Sequence, residues 1–434
     1  MEKPREGWQN LVQQLLPKFG VALVITVTIA LSASAWAHAT VVIGTGNPDV
    51  DVPAIQAAVN LGGEVVLRGH FSFDTPPTIP TALEAVGIPL AILISKAVAI
   101  SGAPDASIEA GTIPFYVDAP GATVTIQKVR FVRPRKSAIL VYAASGLVIA
   151  WCRIDGIVPL PNIQFSGIGI GASDMAVTPT PSQPGHPENI SGKILIADND
   201  LDLAGGTAFD NVLGITTFSA GQSPDREVDL YISGNKIRNI TEPGINLRRI
   251  GGRAHVEGNV ITTGPVSSQT IPRPEAIRVV NIGSYVIAHN VIDCQWPDPD
   301  AIGIGAFSQV ADWPMADAVV VDNEVTMSPP EGVLFGDFSA GIDIRGFAHG
   351  NIVGNNIIRG RARAAVAVDV FNGRIPSNTK VVLNRFDDFD ASVAGVIVGN
   401  GVSDTLIVGQ KGTINDHGSN TMILAFRGRP RSKE

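Results

Sequence analysis

Seven segments of the chain repeat one arrangement of apolar and polar positions: an aliphatic residue, two positions, an asparagine, one position, another apolar residue. They are Ile196-Asn199-Leu201, Ile232-Asn235-Ile237, Val256-Asn259-Ile261, Ile287-Asn290-Ile292, Val320-Asn323-Val325, Ile352-Asn355-Ile357 and Val381-Asn384-Phe386. Two earlier segments, Ile126-Val129-Phe131 and Ile149-Cys152-Ile154, keep the apolar columns without the asparagine. The shortest spacing between anchors is 23 residues (Val129 to Cys152) and the longest is 47 (Cys152 to Asn199). A minimum spacing with variable additions marks a solenoid whose coils carry loops. Apolar residues three before and two after a bend share an interior only where two short strands meet, which a 3.6-residue period does not produce. The asparagine, a frequent non-glycine visitor to left-handed backbone, marks the bend.

A third strand precedes most anchors, as in Gly244-Ile245-Asn246-Leu247, Ala276-Ile277-Arg278-Val279 and Gly341-Ile342-Asp343-Ile344. Its alternation points the aliphatic residues inward and the residue between them outward. Three strands in a turn of about 22 residues, stacked about 4.8 Å apart, predict an all-β parallel β-helix, a single-stranded solenoid of about eleven coils. A stacked asparagine ladder would hydrogen-bond along the axis and satisfy its buried polarity. Ahead of the repeats, Asp51 opens a helical pattern with Pro53, Ile55, Ala58 and Val59, and Gly62-Gly63 stops it. This helix is expected to cap the open end of the solenoid. The helix entry, the Gly-Gly stop, the following strand and the asparagine-bearing repeats resemble the pectin-lyase-like superfamily of right-handed parallel β-helices, over about residues 45–426. That resemblance implies fold and leaves reaction open, because the superfamily holds lyases, hydrolases, epimerases, esterases and binding proteins.

Residues 1–37 read as a signal peptide, with Lys3, Arg5 and Lys18 ahead of an apolar run from Gly20 to Leu31 and small residues at Ala35, Ala37 and Ala39. The run is short for a membrane span. The organisation expected is a signal peptide (1–37), a linker and cap helix (38–63), the β-helix (64–426) and a basic tail (427–434). An exported protein, periplasmic or extracellular, follows. Only 17% of residues are charged and 45% are hydrophobic, which excludes disorder and coiled coil. A net charge of −8 disfavours nucleic acid as a partner. Of the 32 cationic residues, 22 are Arg, a bias suited to planar contacts with carboxylates. Cys152 and Cys294 lie about four rungs apart, too far for a disulfide, and are expected as free, mostly buried thiols.

Chemistry is expected on the outward side of the upstream strands, at Asn246 and Arg248, Arg278 and Val280, Gly303 and Gly305, Asp343 and Arg345, Ala367 and Asp369. The insertions Ser173–Gly192, Thr217–Glu227, Phe307–Ala318 and Phe371–Thr379 would wall this face on one side, and Thr326–Ala340 on the other. Asp343 and Asp369 are candidates for an acid/base pair or for holding Ca²⁺, and Arg345, like Arg278 or Arg248, is a candidate to neutralise a uronate carboxylate or abstract a proton. Asn246, Arg248 and Arg278 are candidates for binding substrate, an arginine neutralising a uronate carboxylate. Against this stands a plain surface ladder of charges worth about 0–1 kcal/mol per pair. The resembling polygalacturonases carry Asn-Thr-Asp, Asp-Asp, Gly-His-Gly and Arg-Ile-Lys segments, of which this chain has only Asp387-Asp388; the epimerases' Asp-Pro-His is present only as Asp298-Pro299-Asp300. No histidine pair has metal-ligand spacing. Two functions fit: an exported enzyme acting on polysaccharide by elimination, hydrolysis or epimerisation, and a non-catalytic β-helix surface protein that binds glycans or partners.

Overall fold

The computed structural model describes residues 39–74, 90–160, 164–171, 190–217, 228–269, 274–308, 315–316, 318–346, 348–386, 388–410 and 412–424. The expected signal peptide, the basic tail and much of three of the insertions lie outside the described residues. Within them, 31 strands join in one continuous sheet, and the pairings along it are parallel, as in Ile194↔Leu230, Ile232↔Val256 and Val256↔Ile287. The fold is the right-handed parallel β-helix that the repeat predicts. Each coil has an upstream strand, a middle strand leading to the bend, and a post-bend strand. Upstream and middle strands often run together, as in Ile245–Glu257 and Glu275–Ala288, with the register shifting between Ile250 and Arg253 where the sheet turns its corner. The inward columns hold the core: Ile245, Ile277, Ile304 and Ile342 stack on the upstream strands and Ile196, Ile232, Val256 and Ile287 on the middle strands, all at most 1% exposed. Each such side chain contributes about 1.5–3 kcal/mol by leaving water.

The asparagine ladder forms, one residue out of the expected register at one rung. Asn199, Asn235, Asn259, Asn290, Asn323, Asn356 and Asn384 are buried and continuous. From Asn199 to Asn356, each backbone N–H and side-chain Nδ2 donates to the Oδ1 of the next rung, at 3.0 and 2.9 Å for Asn235 to Asn259. The second Nδ2 hydrogen goes to a carbonyl, Ile196 O for Asn235 at 3.0 Å. Donors and acceptors of the buried amides are thereby satisfied along the stack. At the sixth rung Asn356 stands in the ladder, where the sequence pattern puts Asn355. Asn355 takes the left-handed backbone (φ 53°) instead, and Val353 and Ile358 face inward in place of Ile352 and Ile357. The same left-handed position is filled by Asp198, Gly234, Gly258, His289, Asp322 and Leu383. The sharp backbone therefore belongs to the residue before the ladder, and the ladder residue follows it.

Cys152 occupies the ladder column, its N–H donating to Asn199 Oδ1 at 2.9 Å. Both cysteines are free and buried, and burial pushes each thiol up to about 12. The helix spans Pro48–Leu61 (α1), one turn longer at its start than expected. Asn47 is the N-cap, accepting from Asp49 N at 3.1 Å, with Pro48 at the first helical position. Asp51 lies inside α1 and is buried; its carboxylate accepts from Thr45 N and Thr45 Oγ1 at 2.8 Å and from Ser72 N at 3.0 Å. A strand, Thr40–Ile43, precedes α1 and pairs with Gly63–Arg68. Val52, Ile55, Ala58 and Val59 of α1 join the core.

Candidate functional site

The register of the upstream strands sorts the expected residues into two outward columns. One runs Thr216, Asn246, Arg278, Gly305, Asp343, Ala367. The other runs Arg248, Val280, Phe307, Arg345, Asp369. Asn246 and Arg278 are thus neighbours, Gly305 separates Arg278 from Asp343, and Arg345 stands directly beside Asp369. Gly303, expected outward, points into the core, where an added Cβ would come within 2.5 Å of Val325 Cγ1. Gly305 is the outward residue of that strand, and its missing side chain makes room for Glu275.

Asp343, Arg345 and Asp369 come together, in a sealed setting. Asp343 is 2% and Arg345 4% exposed, and the two form an ion pair. The Arg345 guanidinium also lies 4.4 Å from the Phe338 ring centroid and donates to Phe338 O at 3.3 Å. Phe338 is carried by the Thr326–Ala340 stretch, which is anchored to the preceding coil through Phe338 N to Asp300 Oδ1 (3.0 Å) and Gly336 N to Pro299 O (2.9 Å). Asp369 is more open and accepts from Val370 N at 2.8 Å, with Arg363 Nη1 at 3.9 Å. Each carboxylate thus already has a cation beside it, so the pair does not fit a Ca²⁺ site, which needs several uncompensated oxygen ligands. Among the described residues no group of three or more His, Cys, Asp or Glu is placed to hold a metal ion. Beyond Asp343 the face turns apolar, with Ala340, Ala364, Ala367, Ala394 and Ile397 buried together. Where the insertions are described, Phe371 packs on Phe307, ring centroids 5.4 Å apart.

Arg278 pairs with Glu275 of its own strand, Nε to Oε2 at 2.6 Å, and Asn246 Nδ2 donates to Thr216 Oγ1 at 3.1 Å. Beside them stands a residue the sequence reading missed. Glu242, in the Thr241-Glu242-Pro243-Gly244 corner, is fully buried and neither carboxyl oxygen is hydrogen-bonded. Ser268 lies next to it, but the Ser268 hydroxyl gives its single hydrogen to Asn211 Oδ1 at 2.7 Å. Burial pushes Glu242 up to about 8 against the opposing pull of the Arg278 charge. At neutral pH it is a protonated carboxylic acid. Lys136 shares this kind of corner three coils earlier; it is fully buried, its Nζ donates to Gln164 O at 2.6 Å, and burial lowers it to about 8. The N-terminal part of the face carries Tyr116 and Tyr142, stacked at 6.4 Å, with Asp118 raised by burial. In sequence, Glu242 looks like a turn residue and Lys136 ends an Arg-Pro-Arg-Lys charge run, so composition pointed away from both. The only available signal was their place just before an upstream strand.

No protein-family model matches the chain, and no match was found among curated proteins. Among solved structures, the chain is similar to the surface protein and adhesin PfbA of Streptococcus pneumoniae, at 12% identity over 84% of this chain and 100% of that one, with a TM-score of 0.41. The A-module of the mannuronan C-5 epimerase AlgE4 of Azotobacter vinelandii is similar at 12% identity over 88% of this chain and 96% of that one, with a TM-score of 0.35. The Dettilon tailspike protein is similar at 11% identity over 88% and 68%, with a TM-score of 0.38. No helix among the described residues is long and apolar enough to cross a membrane.

Proposed function

We propose that this chain is an exported protein that recognises a polysaccharide along the upstream-strand face, between Ser166 and Asp369. One observation carries the reading. Side chains at this face are buried yet short of partners: Ser166 Oγ and Asn246 Oδ1 have no hydrogen bond. Buried polar atoms without partners cost free energy and mark places where a ligand supplies the missing bonds. A sugar hydroxyl both donates and accepts, so a row of mixed donors and acceptors suits a polyhydroxylated chain. Tyr142, Arg248, Arg278 and Asp369 on the same face are partly exposed and give the ligand its approach. The sealed Asp343–Arg345 pair favours positioning over catalysis.

A second reading, catalysis, is favoured by Glu242, a neutral acid beside the Glu275–Arg278 pair and therefore of the type that donates a proton to a leaving group. Binding of pectate, alginate, glycosaminoglycans and neutral glucans separates the readings, together with assays for unsaturated or reducing-end products with and without Ca²⁺. Binding that falls about tenfold or more in Asn246→Ala and Arg278→Ala supports recognition. Product that disappears in Glu242→Gln while binding persists supports catalysis. Absence of both from the whole panel would remove the polysaccharide reading.

A further inference from the structure

The middle strands also have an outward side, and it is apolar. Register aligns Leu195, Tyr231, His255, Val286, Val319 and Ile352 in one column, each partly exposed. Val148 extends it at one end; past Lys380, Leu406 and Met422 extend it at the other. The column beside it runs Ala197, Ser233, Glu257, Ala288 and Val321, with Glu257 its one charge. Solvent-facing positions of a sheet ordinarily alternate with the core as polar residues, so a column that is aliphatic in most coils, interrupted by the Tyr231–His255 pair and by Lys380, marks a contact surface. It is separate from the face proposed for polysaccharide.

Its dimensions and its margins say what fits. From Val148 to Met422 the column covers roughly 43 Å at about 4.8 Å per coil, and two outward columns are about 13 Å wide, giving roughly 550 Å² per copy and about 1,100 Å² for two, enough for a specific interface. A straight ribbon with side chains repeating at the strand spacing is matched in length and pitch by a second solenoid. Along one margin the register sets Lys193, Asp229 and Arg253 in alternating sign, and Glu257 lies on the opposite margin. A partner of uniform charge meets repulsion there, whereas a copy of the same surface brings both signs. Tyr231 is held in place between its neighbours along the column, its ring stacked on His255 at 4.9 Å with Lys193 over the ring at 4.9 Å.

We propose that this strip is the seam of a homodimer, a second copy of the chain laid along it with the two coil axes side by side. Sedimentation velocity on the full chain tests it, with Leu195→Asp and Val319→Asp as separate variants. The expected result is a dimer at micromolar concentration and, in each variant, a dissociation constant raised by about tenfold or more, with an unchanged far-UV spectrum because both side chains point away from the core. As a check that does not depend on the charged variants, Val286→Cys near the middle of the strip should be joined to its counterpart by a short bifunctional maleimide, the native thiols being buried. A chain that stays monomeric to about 100 μM, a dimer indifferent to both substitutions, or a Val286→Cys variant that does not cross-link would overturn the proposal.

Discussion

The post-bend face and the upstream face are built from the same charged residues and put them to opposite use. On the post-bend face Arg130 and Arg153 both reach Asp155 at 2.5 Å, and Arg238 spans Asp200 at 2.7 Å and Asp202 at 3.1 Å. Arg359 pairs with Glu324. These arginines are 36–55% exposed at the side chain, water screens them, and each pair is worth little. They account for part of the arginine excess without any ligand. On the upstream face Asp343–Arg345 is nearly dry and Glu275–Arg278 is mostly so, and burial pushes Glu242 up to about 8. Desolvation, and not residue type, separates a decorative lattice from groups whose protonation and pairing matter.

The sharpest test of that contrast is to remove one partner from each kind of pair. Asp343→Ala should cost about 3–5 kcal/mol in denaturant unfolding, since it strands a buried guanidinium, whereas the double variant Asp343→Leu with Arg345→Met should recover most of that loss. A small effect of the single substitution would mean that water reaches the pair.

Next in size is the pH dependence set by Glu242. Its folded value, about 8, lies above the usual 4.5, so the folded chain holds a proton that the unfolded chain releases. Stability from this group is complete below about pH 4.5 and is lost as pH rises towards 8, by up to about 1.4 kcal/mol per pH unit. Glu242→Gln should flatten the fall of Tm between pH 5 and 8 and raise Tm at pH 8. An unchanged slope would place the titration elsewhere.

The ladder comes third. Asn259→Ala removes the acceptor of two hydrogen bonds from Asn235 and should cost about 2–3 kcal/mol by leaving buried donors unmet. The rung at Cys152, which already lacks the amide, should tolerate Cys152→Ala at roughly 1 kcal/mol. Smallest of all, Arg238→Ala on the post-bend face should change stability by about 0–1 kcal/mol, and less in high salt. A large loss there would erase the distinction between the faces.

The periodic part of the molecule was legible because every coil poses the same problem. Ile196, Ile232 and Val256 must all leave water at the same point of the turn, so the columns repeat in the sequence as they do in space. The pattern slipped at Ile352-Asn355-Ile357, where two adjacent asparagines and alternating aliphatics fit either frame; only the left-handed backbone at Asn355 chooses between them. It slipped again at Gly303, because a glycine carries no outward or inward sign of its own. Asp343, Arg345 and Asp369 were correctly brought near one another by strand alternation, but nothing in their local sequence says that Phe338 closes over the arginine from a separate loop.

From the amino-acid order alone came the coil, the strand content, the inward columns, the free and separated thiols and the face on which polar residues gather. These follow from local alternation and from repetition, which a linear string records. The tertiary structure alone decided which of those polar residues are dry, because burial depends on what packs from other coils. It also decided that Glu242 is neutral, that Lys136 is sealed in a corner, and that Asp343 is bound to Arg345 and so does not await a metal. Charge state and access are properties of surroundings assembled from distant segments, and a residue's own neighbours in the chain do not carry them.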